Sequence, residues 1–179
     1  MKKAMVAGMV VLSLAAPRLL ATSPDEMFVL DVAKDGMAEI DIGNLASEKA
    51  TSDDVKKFAQ RMVTDHGKAN DELKTLAQSK NITLPAGVDA KAKATHDRLA
   101  KLSGPAFERA YVQEMVAGHR KAVAAFKKES TSGQDPEVKA WATKTLPTIE
   151  EHFKMAQDIA KNVGAVGTSG TKRTNSHKK

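Results

Sequence analysis

The chain has 179 residues, with Phe, Tyr and Trp together at only 4% and no cysteine. That length supports one domain with a real core, and the aromatic-poor, Ala- and Met-rich interior favours helices over sheets. The net charge of +6 comes from the ends: Lys2, Lys3 and Arg18 near the start, and Lys172, Arg173, Lys178 and Lys179 near the finish. The middle holds 21 of the 28 basic residues against all 22 acidic ones. A near-neutral body argues against nucleic acid as the partner. The missing cysteine excludes a disulfide framework, a thiolate metal site and a lipidated amino-terminal cysteine.

Residues 1–21 read as a secretory signal, with Lys2 and Lys3 before the apolar run Ala4 to Ala16. Ser13-Leu14-Ala15 and Leu19-Leu20-Ala21 are both acceptable cleavage sites. The run is shorter than the ~20 residues a bilayer span needs, and no later segment qualifies. The expectation is a mature protein without a transmembrane segment, periplasmic or secreted.

A first helix opens at Ser23 as N-cap, with Pro24 at the first helical position and Asp25 and Glu26 at the positive dipole end. Its stripe is Val32, Gly36, Glu39, Ile40, Gly43 and Ala46, ending near Ala50. The two glycines fit a close approach by a neighbouring helix. Thr51-Ser52-Asp53-Asp54 is a cap cluster that starts a second, antiparallel helix almost at once. That helix buries Val55, Phe58, Ala59, Met62, His66, Ala69, Leu73, Leu76 and Ala77.

Residues 80–104 break the periodicity. Asp89 caps a short helix through Leu102, with Ala92, His96 and Leu99 on one side. Some 25 residues is too long for a hairpin and suits a crossover from one end of a bundle to the other. Ser103-Gly104-Pro105 starts the next long helix, carrying Phe107, Tyr111, Met115, Gly118, His119, Ala122 and Phe126, and ending near Ser130. After the turn at Ser132-Gly133-Gln134, Asp135-Pro136 caps the last one. Its stripe is Val138, Ala142, Leu146, Ile149, His152, Phe153, Ala156, Ile159 and Val163. Pro147 inside it should remove one hydrogen bond and bend the axis. From Gly164 the composition is Gly, Ser, Thr and Lys, read as a disordered basic tail at 164–179. The predicted fold is all-α: a ferritin-like four-helix bundle over 23–163, with a long crossover carrying a short extra helix.

His66, His119 and His152 each fall on or beside the apolar stripe of a different helix, and Glu39 holds the matching position on the fourth. At ~1.5 Å per residue, Glu39 lies roughly 16 Å and His66 roughly 20 Å from the first turn. His119 and His152 lie roughly 16 Å and 24 Å from the second on the same rise. All four belong near mid-bundle, where facing helices build metal sites. Three imidazoles and a carboxylate suit one transition-metal ion such as Zn, Cu or Fe. The Glu-x-x-His signature of di-iron bundles is missing, because Val63 and Ile149 stand three residues before His66 and His152. A mononuclear site fits better than a ferroxidase.

The competing reading is a structural one, with buried histidines hydrogen-bonded to Asp65, Glu114, Glu150 or Glu151. Met62, Met115 and Met155 flank the histidines at helical spacing and read as gap fillers of the core. Asp65 and His66 point about 100° apart on a helix, and no serine or cysteine nucleophile accompanies them. Tyr111 reads as core rather than as a redox neighbour. These residues favour a binding protein over an enzyme.

Several stretches carry a resemblance: Gly36-x-x-Glu39 with Gly43-Asn44-Leu45-Ala46, Phe58-Ala59-x-x-Met62-x-x-Asp65-His66, Phe107-x-x-x-Tyr111, His119, and Leu146-Pro147 followed by His152. From about residue 25 to 162 the chain resembles the bacterial family called domain of unknown function 4142. Glu108 departs from it, standing where similar proteins tend to carry Asp. The resemblance implies an exported ferritin-like bundle and no established reaction. Three functions follow in order: a protein binding a transition metal or serving envelope stress tolerance, a structural module contacting an envelope partner or forming a homodimer, and last an oxidoreductase using a bound metal with dioxygen or peroxide.

Overall fold

A computed structural model describes residues 22–168, with side chains through Val163. The predicted signal at 1–21 and the end of the predicted tail, from residue 169, lie outside the described residues. Five helices follow one another: α1 (Pro24–Lys49), α2 (Asp53–Ser79), α3 (Ala90–Ala100), α4 (Gly104–Ser132) and α5 (Pro136–Thr168). Among the described residues there is no strand, and no helix is long and apolar enough to cross a membrane. The fold is the all-α bundle that the periodicity predicts.

Helix α1 begins as expected, with Ser23 Oγ accepting from the Glu26 N–H at 3.1 Å. The start of α2 differs from expectation, because the Ser52 side chain makes no capping bond. Glu108 of α4 does that work from across the bundle. Its Oε1 accepts from Thr51 N and Thr51 Oγ1 at 2.8 Å each and from Ser52 N at 2.7 Å. At the opposite end, Asp25 Oδ2 accepts from Gln134 N at 3.0 Å and from Asp135 N at 2.5 Å.

These two cross-links fix the topology. The α1–α2 turn sits where α4 begins, and the α4–α5 turn sits where α1 begins. The chain therefore runs down, up, crosses the bundle's length, then runs up and down again. α1 packs mainly on α2 and α4 on α5, with α1·α4 and α2·α5 closing the ring. The crossover carries α3 against α1 and α4. Leu99 is buried there, His96 Nδ1 lies 2.7 Å from Asp41 Oδ2, and Lys49 Nζ donates to the Ala100 carbonyl at 2.6 Å.

Gly43 shows why α1 carries glycine in its stripe. A Cβ there would stand 3.0 Å from Val63 Cγ2 and 3.4 Å from the Ala59 carbonyl, so α1 and α2 approach closely enough that a side chain would make Val63 shift. Pro147 lies inside α5 without ending it. Nor does Gly164 end that helix, which corrects the start of the predicted tail: α5 continues to Thr168. One glycine costs a helix only about 1 kcal/mol, and Ala165 and Val166 carry no turn signal.

The apolar core is in two parts. One contains Ile42, Ala46, Val55, Phe58, Met62, Leu99, Phe107, Tyr111, Met115, Ala156 and their neighbours. The other contains Val29, Ala33, Leu73, Phe126, Val138, Trp141, Ala142 and Ile149. On every long helix a gap separates the two parts, and Glu39, His66, His119 and His152 fall within those gaps. The bundle has a polar layer at its waist.

Candidate metal centre

Three imidazoles from three helices meet in that layer. The ring centroids of His66 and His119 are 5.6 Å apart, those of His66 and His152 5.4 Å, and those of His119 and His152 5.5 Å. One ring nitrogen of each lies within 4.8 Å of the other two. His119 is fully buried, His152 is 1% exposed and His66 7%. Glu39 joins them from α1. Its Oε2 is 3.2 Å from His66 Nε2, and its Oε1 is 3.3 Å from His119 Nδ1. All four residues singled out by periodicity and depth are together.

Two of the rings are held by a neighbour that chooses the tautomer. His119 Nδ1 donates to the Met115 carbonyl one turn back at 3.0 Å, which leaves the lone pair on Nε2. His152 Nε2 donates to Asp65 Oδ2 at 2.9 Å, which leaves the lone pair on Nδ1. Among the described residues, His66 Nε2, His119 Nε2 and His152 Nδ1 have no hydrogen-bond partner. Glu39 stands beside His66 Nε2, off its hydrogen-bonding direction. Such an arrangement of oriented, unpartnered nitrogens is what metal-ligating histidines require.

Electrostatics keep the rings neutral. Burial pushes His119 down to about 4, against a smaller opposing effect of the Met115 carbonyl. Burial also lowers His66 and His152, despite the carboxylates of Glu39 and Asp65 beside them. Burial raises the Glu39 carboxyl, and the negative charge of Asp35 adds to that. Burial would raise Asp65 too, but the bonds from His152 and Arg61 outweigh it and hold the group below its usual range. Three neutral imidazoles offer lone pairs without a proton to displace.

Asp65, one of the carboxylates that the sequence offers as partner to a buried histidine, supports His152. Asp65 serves an imidazole of α5 rather than its chain neighbour, and it is itself anchored by Arg61 Nε at 3.1 Å. Arg61 reaches on to Glu151 at 2.7 Å and to Met155 Sδ at 3.2 Å. Of the other carboxylates considered as histidine partners, Glu114 pairs with Arg98 and Glu150 with Lys127. Seeing Asp65's role would have needed the order of helices around the bundle, which periodicity does not supply. Met62 and Met115 are core residues. Tyr111 is buried, stacked on Phe107 at 6.2 Å, with its hydroxyl unpartnered. Burial and, next, Glu39 push that hydroxyl upward, so it stays protonated.

An all-α bundle with a three-histidine layer at its waist defines a class of candidate metal-binding proteins. Residues 12–159 match the family described as domain of unknown function (DUF4142), and the chain belongs to that family. No curated protein matches it at a significant level. Solved structures share the fold. A DUF305 fragment from Deinococcus radiodurans is 15% identical, with a TM-score of 0.68 over 79% of this chain and 98% of that one. A DUF305 protein from Streptomyces coelicolor is 15% identical, with a TM-score of 0.67 over 78% and 92%. CopM in its Cu(I)-bound form is 22% identical, with a TM-score of 0.65 over 78% and 97%.

Proposed function

We propose that this protein is an exported bundle that holds one transition-metal ion at His66, His119 and His152, with Glu39 as the fourth ligand. Its role is storage or buffering of that ion, and through it the tolerance of the cell envelope to metal stress. One observation carries the reading: three buried imidazoles converge with one unpartnered nitrogen each. A buried polar atom left unsatisfied costs about 1–3 kcal/mol. Three in one layer are a burden that a bound cation removes.

The spacing suits such an ion after a small contraction. Ligand nitrogens about 2.0–2.1 Å from a tetrahedral metal stand about 3.4 Å from one another. Glu39 Oε2 already lies near that distance from His66 Nε2, while its approach to His119 is to the proton-bearing Nδ1, and the three ring nitrogens, within 4.8 Å, need to close by on the order of 1 Å. Zn, Cu and Fe all accept imidazole and carboxylate ligands. The likeness to CopM, solved with Cu(I), makes copper the first ion to try.

The deciding experiment is equilibrium dialysis of the untagged mature chain against Zn(II), Cu(II) and Fe(II), followed by elemental analysis. One ion per chain is expected, lost in His66→Ala. Uptake of none of the three overturns the reading. In that case the histidine layer serves helix register alone, and His66→Ala would cost stability without changing any ligand affinity.

A further inference from the structure

His119 and His152 are sealed inside the bundle, which leaves Glu39 and His66 as the members of the layer that border a cleft. Both of these border a cleft of about 400 Å³ between α1, α2, α4 and α5. Glu39 also borders a second cleft of about 450 Å³ between α1, α3 and α4. The two clefts share Asp31 and Asp35, which precede Glu39 by two turns and one turn of α1. Steps of four residues set three carboxylates about 6 Å apart along one helix face. The buried His66 Nε2, without a hydrogen-bond partner, stands at the inner end of the row.

Opposing charges are present at the mouth and are outnumbered. Lys34 pairs with Asp31 at 3.2 Å, and Lys91 of α3 and Lys121 of α4 line the second cleft. Asp89 and Glu114 line that cleft too, and Glu114 is held by Arg98. Lys121 and Lys128 face the first cleft, together with Glu129. Asp35 has no ion-pair partner among the described residues. Opposite Glu39, Gly118 leaves the space in which its carboxylate lies: a Cβ there would be 3.2 Å from Glu39 Oε1.

Building on the metal reading, we infer that Asp31 and Asp35 are the loading route for a divalent cation, passing it to Glu39 as the first ligand it meets. Carboxylates lining a low-dielectric cleft raise the local cation concentration and the on-rate, an effect that salt screens. They are not themselves ligands of the final site. A route acts on the rate of loading, whereas a ligand acts on the amount bound.

The test is stopped-flow loading with Cu(II), read by quenching of Trp141, the single tryptophan, which lines the first cleft. Asp35→Asn and the double variant Asp31→Asn/Asp35→Asn are compared with the unaltered chain. At low ionic strength, about 10 mM, the double variant should load about tenfold more slowly. At about 0.5 M salt the difference should vanish, with one ion bound per chain throughout. Loading at the unaltered rate in low salt overturns the route, as does a reduced stoichiometry, which would make the aspartates ligands. If the unaltered chain takes up no Cu(II), the comparison is run with whichever of Zn(II) and Fe(II) it binds, and uptake of none of the three removes the metal reading and the route with it.

Discussion

Asp65 Oδ2 lies 2.9 Å from His152 Nε2, so a carboxylate of α2 aims an imidazole of α5 while the next residue in the chain, His66, faces the interior. The bond fixes which nitrogen of His152 keeps its lone pair. Asp65→Ala should lower metal affinity about 10- to 100-fold while stoichiometry stays at one. Asp65→Asn should lose less, since its amide oxygen can still accept from Nε2. Competition with a chromophoric chelator measures both. Affinity unchanged in the alanine variant would remove Asp65 from the site.

Gly118→Ala should split stability from binding. The helix gains up to about 1 kcal/mol in propensity. The new Cβ, 3.2 Å from Glu39 Oε1, pushes the carboxylate away from His66 and His119. The expected result is an unchanged or higher melting temperature with weaker metal binding. A variant that melts lower and binds as well as its parent contradicts this.

Glu108 gives the acid dependence a definite sign. Burial pushes its carboxyl up, but three donors from Thr51 and Ser52 outweigh that and hold it below its usual 4.5. A carboxyl depressed in the folded state stabilises fully above its unfolded value, and the effect is lost as pH falls through the folded one. Glu108→Ala should therefore cost about 1–3 kcal/mol at pH 7. The gap from the parent should narrow below about pH 4.5, where the parent loses the same contribution. Urea unfolding at several pH values reads this directly, and a gap that widens on acidification would refute it.

Ligand binding should also appear as heat resistance. Free metal at about 100 times its dissociation constant adds about 2.7 kcal/mol to stability. For a domain of this size that is roughly 5–10 °C in melting temperature. Scanning fluorimetry with and without a chelator should show the rise and its reversal. His152→Ala should show neither, and a rise of the same size in that variant would place the ion elsewhere.

Much of this was legible in the order of residues. Val55, Phe58, Met62, His66 and Leu73 mark one helical stripe, and counting rise from the turns brings His66, His119, His152 and Glu39 to one depth without any knowledge of contacts. The long segment 80–104 announces the crossover by its length alone. Which helix a contact would cross to was not legible. Glu108 caps a helix that begins 55 residues earlier, and Asp65 serves a ring 87 residues away. Spacing along one helix carries no sign of which neighbour its flank will face. Nor did composition mark the end of α5, because Gly164 weakens a helix without stopping it.

The crossover has one more consequence. Glu39 and His66 lie on the hairpin before it, and His119 and His152 on the hairpin after it, so each half of the chain owns half of the cage. Were the 80–103 segment to swing outward, two copies exchanging halves would rebuild two complete cages in a dimer. In either form a captured ion would clasp together two halves whose one covalent link is that strap, adding to the packing of α1 on α4 and α2 on α5.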